Sequence, residues 1–140
     1  MLKFKKNTFH FFLVAYCLLI FILSSIPGDK YPEVDIPSAD KLVHTLIYCG
    51  LFLLFFYSLK LQSKSVNLQK YAILWSILFT AVYGATDEFH QLFTVNRSCD
   101  LIDWFADVSG ALIGTGIILI ILKRNYNKLP FVNEQYIKTI

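Results

Sequence analysis

Charge is scarce in this sequence. Asp, Glu, Lys and Arg together supply 16% of its 140 residues, against roughly 25% in an ordinary soluble domain. Residues 11–26, 46–59 and 71–86 contain no charged side chain at all. A helix on the surface of a soluble bundle carries charge along one face at helical period, so these stretches argue against a bundle that faces water. Cysteine is sparse too. Cys17, Cys49 and Cys99 are an odd number, with no CxxC pair and no Cys/His ligand spacing, which argues against a disulfide framework or a zinc ribbon. Cys17 and Cys49 fall in apolar runs, where a thiol behaves as a small hydrophobe. The sequence has no GxSxG elbow, no HExxH helix and no phosphate-binding P-loop. It has no internal repeat, no low-complexity tract and no basic stripe with the features of a nucleic-acid surface, so nucleic acid is not an expected partner.

What it has in abundance is apolar surface. Hydrophobic residues make up 56% and the mean hydropathy is +0.53. A chain of this length is one domain, too small to hide so much apolar surface inside itself. The expected class is an all-α polytopic membrane protein. A spanning helix takes about 20 mostly apolar residues, and four stretches qualify: about 9–26, 42–59, 71–90 and 104–122. Lys3, Lys5 and Lys6 before the first stretch resemble the start of a secretory signal. The run is long, however, and ends in Ser24-Ser25-Ile26-Pro27-Gly28 without a small-x-small cleavage site, so a retained helix is expected. Residues 28–39 read as a polar loop with Pro32 and Pro37, and Ser38 or Asp40 is a candidate cap for the second helix. Residues 60–70 form a short polar connection. The transmembrane domain covers 1–124, and 125–140 is a polar tail broken by Pro130.

Orientation follows from the basic residues of short loops. The N-terminus, the 60–70 connection and the tail carry Lys3, Lys5, Lys6, Lys60, Lys64, Lys70, Lys123, Arg124, Lys128 and Lys138. The opposite side carries only Lys30, Lys41 and Arg97, together with every acidic residue except Glu134. Both ends are therefore expected in the cytoplasm of a protein that crosses the cell membrane four times.

Charges in hydrocarbon cost about 2.5–3.5 kcal/mol each on insertion scales, so they belong at helix ends or in pairs. This chain gathers them at one level on three helices. At about 100° per residue, Asp40, Lys41, His44 and Tyr48 occupy one arc of the second helix. Asp87, Glu88 and Gln91 share an arc of the third, with His90 off to one side. Asp100, Asp103 and Asp107 share a face of the fourth, above Gly110 and Gly114, a small-xxx-small pair that permits close helix approach. Arg97, in the connecting loop, is the natural counter-charge for these carboxylates and can grip one of them bidentately. Asp107, a turn inside the apolar run, needs a partner such as Lys41, Arg97 or His44, or a proton. Each group also has a plain structural role open to it. The glycines pack helices, His44 can bridge helices, Asp40 and Lys41 can reach the interface, and Asp87-Glu88 can be a solvated helix end.

Taken in order, the residues Ser24, Ser25 and Pro27, then Asp40, Lys41, His44 and Tyr48, then Tyr83, Asp87, Glu88, Gln91 and Phe93, then Arg97, Asp100, Asp103, Asp107, Gly110 and Gly114 form a pattern that resembles the VanZ-like family. The likeness runs over about residues 24–114. It departs at Asp107, where the family often carries Asn, an amide that needs no counter-charge. The resemblance implies a bacterial cell-envelope protein of several membrane helices. The family's namesake is an accessory protein that lowers susceptibility to teicoplanin-type glycopeptides. The resemblance implies no settled biochemical activity and no cofactor.

Four functions compete on these residues. In the first, the polar site binds a lipid headgroup or cell-wall precursor, with Lys41, Arg97 and His44 meeting a phosphate. In the second, the protein is a membrane enzyme acting on a lipid-linked substrate, with His44 or Glu88 as general acid or base and Lys41 and Arg97 stabilising negative charge. A metal held by Asp87, Glu88, His44 and Asp103 is a variant of that reading, but these residues sit on separate helices and their spacing predicts no geometry, so no metal is assigned. The third, a proton or cation pathway, would need ionisable groups to continue toward the cytoplasm; the inner halves of the spans offer only tyrosines and thiols. The fourth is a purely structural network.

Overall fold

The computed structural model describes residues 6–31 and 38–124. Lys3 and Lys5, the Lys6 side chain, Pro32, Pro37 and the tail 125–140 with Pro130 lie outside the described residues. Among those described, the chain is all-helical, with no strand. Five α-helices follow in order: α1 (Lys6–Ser24), α2 (Ala39–Leu61), α3 (Val66–Lys70), α4 (Ala72–Gln91) and α5 (Leu101–Arg124), with a single 3₁₀ turn at Gly28–Lys30. The four predicted spans correspond to α1, α2, α4 and α5. Among the described residues, only α2 and α5 are long and apolar enough by themselves to cross a membrane; α1 offers the shorter apolar stretch Thr8–Ser24, and α4 carries Asp87 and Glu88 near its end. The prediction of four comparable spans is thus met on length and hydropathy by two helices.

The helix ends follow from local chemistry. The last carbonyls of a helix have no partner within it. At the end of α1, the Tyr31 hydroxyl donates to the Leu23 carbonyl at 2.7 Å and the Ser25 hydroxyl to that of Phe21 at 2.7 Å. Neither expected cap of α2 acts as one. Ser38 takes a left-handed backbone (φ 61°) with no side-chain cap bond, and the Asp40 carboxylate is engaged by Lys41. Asp100 does cap α5: its Oδ1 accepts the Ile102 N–H at 2.8 Å, the side-chain acceptance that favours Asp at helix starts. The 60–70 connection is pinned by Gln62, whose Oε1 accepts the N–H groups of Lys64 and Ser65 at 2.6 and 2.9 Å.

Helix α2 is central, packing on α1, α4 and most extensively on α5. Phe52, Phe56, Ala72, Ala111 and Ile118 form one buried cluster, and Ile20, Tyr48 and Leu51 another. The predicted role of Gly110 holds. A Cβ there would collide with the Thr45 carbonyl oxygen of α2, so the two backbones meet without side chains between them, and the Thr45 hydroxyl donates across the gap to the Ala106 carbonyl at 3.2 Å.

The exterior is as apolar as the interior. Phe11, Ile22, Leu46, Leu74, Phe105 and Ile120 are all exposed, while Ser76, Thr80 and Asp107 are completely buried. Only 28% of the apolar window of α2 and 33% of that of α5 is buried within the molecule. A core helix of a water-soluble domain would be covered instead.

Candidate functional site

The chain alternates direction along α2, α4 and α5, so the N-terminal turns of α2 and α5 and the C-terminal turns of α4 meet at one end of the bundle. That end holds the polar residues. Lys41 is the hub: its ammonium lies 2.7 Å from Asp40 Oδ2, 2.7 Å from Asp103 Oδ1 and 3.3 Å from Asp100 Oδ2. A lysine offers three donors around a compact charge, and here they tie α2 to the start of α5. The N–H of Ile102, helped by Lys41, holds the Asp100 carboxyl below the usual carboxylate range.

One turn deeper, His44 Nδ1 lies 2.9 Å from Asp107 Oδ1, and Asp107 is wholly buried. Of the partners open to Asp107 in the sequence, His44 is the one it takes. Room for it comes from α4: a Cβ on Gly84 would stand 2.6 Å from Asp107 Oδ2. With Asp107 ionised and accepting only, Nδ1 carries a proton, and in the neutral imidazole Nε2 keeps its lone pair. The His44 ring lies parallel to that of Tyr48, centroids 6.2 Å apart, and Tyr48 is buried with its hydroxyl unpaired among the described residues.

On α4, Asp87, Glu88 and Gln91 are all buried. The Gln91 amide reaches both carboxylates at 3.4 Å, and Glu88 Oε2 accepts the Asp100 N–H at 2.9 Å, which joins α4 to the turn before α5. The solvated helix end that Asp87-Glu88 allowed is therefore not what forms. His90 turns aside as expected, to Ser25 Oγ at 3.0 Å and against the Phe21 ring.

Arg97 departs from its expected role. No carboxylate among the described residues lies within ion-pair distance of it; its guanidinium sits 4.4 Å over the Tyr31 ring instead, and its Nε is enclosed without a hydrogen-bond acceptor. The cause is the path of the loops. Gly28 N–H donates to the Val95 carbonyl at 3.0 Å, which binds the turn after α1 to the turn after α4 and carries Arg97 to Tyr31, away from the carboxylates of α5.

A cavity of about 650 Å³ opens beside these groups. Asp40, His44, Tyr48, Asp87, Gln91 and Arg97 are among its polar lining, and Ile20, Leu23, Val43 and Ile47 among its apolar lining. Asp100 and Glu88 instead border a smaller space of about 250 Å³ with Trp104 and Cys99. The sequence-predicted set is thus brought to one end but not to one recess: Lys41, Asp103 and Asp107 line neither space. The apolar wall from α1 was missed; Ile20 and Leu23 look like every other residue of a greasy helix, and nothing in their spacing marks them.

Fold and site together define an all-helical protein whose apolar bundle closes at one end on a network of acids, a lysine and a histidine. The chain belongs to the VanZ/LLP1 family, whose model matches residues 6–122. It is also similar to an uncharacterised protein of Schizosaccharomyces pombe, 26% identical over 129 residues that cover 91% of this chain and 75% of the relative. No solved structure matches.

Proposed function

We propose that this is a four-span cell-membrane protein with both ends cytoplasmic, and that its cavity opens on the outer side to take the anionic headgroup of a lipid or lipid-linked envelope precursor. The apolar exterior of the helices and the excess of basic residues at the opposite end support that placement. Arg97 in the cavity carries the ligand reading. The acids around it have donors of their own, Lys41 for Asp40 and Gln91 for Asp87. The guanidinium does not have an acid among the described residues, and it shares the cavity lining with Ile20, Leu23, Val43 and Ile47. A cation and aliphatic surface in one cavity suit a phosphate with an acyl or prenyl chain.

Purified protein in nanodiscs should bind a polyprenyl phosphate or phosphatidylglycerol in preference to uncharged diacylglycerol. Arg97→Ala should weaken the anionic lipids roughly tenfold, the loss of one charge-assisted contact of about 1.4 kcal/mol. Equal binding of the uncharged lipid, or anionic binding unchanged in R97A, would remove the proposal. In a bacterial cell, such binding would alter susceptibility to teicoplanin-type glycopeptides. Identical susceptibility of cells carrying wild type, R97A and empty vector would rule out that consequence.

A second reading, an enzyme on the same lipid, rests on the His44–Asp107 pair. A buried carboxylate that orients an imidazole leaves its other nitrogen set for proton transfer. His44→Gln would then abolish turnover of the lipid phosphate while leaving its binding intact.

A further inference from the structure

We infer that His44, Glu88 and Asp103 form a binding site for a divalent transition metal of the Zn²⁺ or Mn²⁺ kind. They come from α2, α4 and α5, and one ligand atom of each lies within 4.8 Å of the other two. Around a metal with bonds near 2.1 Å, ligand atoms stand about 3.4 Å apart, so closure takes about an ångström of side-chain adjustment. One imidazole nitrogen and two carboxylates suit a borderline metal and leave coordination positions open for water or a substrate oxygen. The spacing of these residues along the chain predicts none of this; the antiparallel packing of three helices creates it.

Three further observations point to a cation. The first is His44 itself: Asp107 takes Nδ1 at 2.9 Å, which leaves Nε2 as the ligand atom, the carboxylate–histidine–metal arrangement that fixes the tautomer of metal-bound histidines. The second is Asp103, whose enclosed Oδ1 meets only the Lys41 ammonium at 2.7 Å, a charge that Asp40 and Asp100 share. The third is the charge balance. Glu88, Asp87 and Asp107 are 3%, 6% and 0% exposed, and Asp103 adjoins them, yet the nearest lysine is Lys41 alone, which Asp40 and Asp100 also share. Buried carboxylates in such excess carry a desolvation cost that one ammonium does not offset; a divalent ion between Glu88 and Asp103 offsets it. His44 also borders the large cavity, so the metal would give a headgroup phosphate a second cationic partner beside Arg97. That consequence alone rests on the headgroup reading; the metal site does not.

The test is metal binding by full-length protein in detergent, stripped with chelator and dialysed against Zn²⁺ or Mn²⁺, with no lipid ligand added. Wild type should retain one ion per chain. Glu88→Gln and Asp103→Asn should each weaken retention at least tenfold, the order seen for lost ligand support, whereas Asp29→Asn, on the exposed turn after α1, should retain it. Pulsed electron paramagnetic resonance of Mn²⁺-loaded wild type reads a bound imidazole nitrogen directly, independent of whether any variant folds. No retained ion in wild type, retention unchanged in E88Q and D103N, or bound Mn²⁺ without a nitrogen coupling would each overturn the site. Retention without lipid binding would uphold the metal site and sink the headgroup reading; the reverse result would do the opposite.

Discussion

At the scale of single residues, Asp107 shows how a charge survives inside an apolar helix. It sits about two turns into α5, fully enclosed, and its burial is offset by the His44 contact across the helix boundary. Asp107→Ala should leave the imidazole without its acceptor and lower stability by about 1–3 kcal/mol, the cost of an unmet buried polar group. Asp107→Asn, whose carbonyl still accepts from Nδ1–H, should retain most of it. Thermal unfolding in detergent followed by size-exclusion checks both; equal melting of the two variants would contradict the pairing. The helical spacing placed Asp40, Lys41 and His44 on one arc and Asp100, Asp103 and Asp107 on another, and both arcs do face each other. Spacing along each helix says nothing of which member meets which, and that is why Arg97 was matched with acids it does not touch.

At the scale of elements, the α2–α5 contact decides the geometry of the site, because Lys41 and His44 on one helix must reach Asp103 and Asp107 on the other. Gly110 sets that distance. Gly110→Val would drive a side chain into the Thr45 carbonyl and should cost about 1–3 kcal/mol or more, the range for overpacking a close contact. Gly116, with nothing near its added Cβ, should tolerate the same change with little loss. Melting temperatures of G110V and G116V, side by side, check the contrast. The small-xxx-small pattern made this contact legible in the sequence, since few other physical reasons place two glycines four apart in an apolar helix. The end of α4 was less legible. Asp87-Glu88 read equally as a solvated terminus, and only the turn before α5, folding back so that the Asp100 N–H reaches Glu88, buries it.

At the scale of the whole molecule, the apolar exterior and the one-sided polar end make orientation the property to measure. Cys99 is exposed at the polar end, whereas Cys17 and Cys49 lie in α1 and α2. A membrane-impermeant maleimide applied to intact cells should therefore label wild type and not Cys99→Ser. Labelling that needs permeabilised cells would reverse the proposed orientation.

The sequence alone determined the helical class, the approximate helix ranges, the close glycine contact and the gathering of charge at one level. Those properties come from local composition and the period of the helix, which any stretch of chain carries within itself. Tertiary structure alone decided the rest: which carboxylate His44 holds, the divergence of Arg97 toward Tyr31, the share of α1 in the apolar lining of the cavity, and the meeting of His44, Glu88 and Asp103. Each depends on the rotation and spacing of helices far apart in the chain, and these are set by packing, not by any one helix.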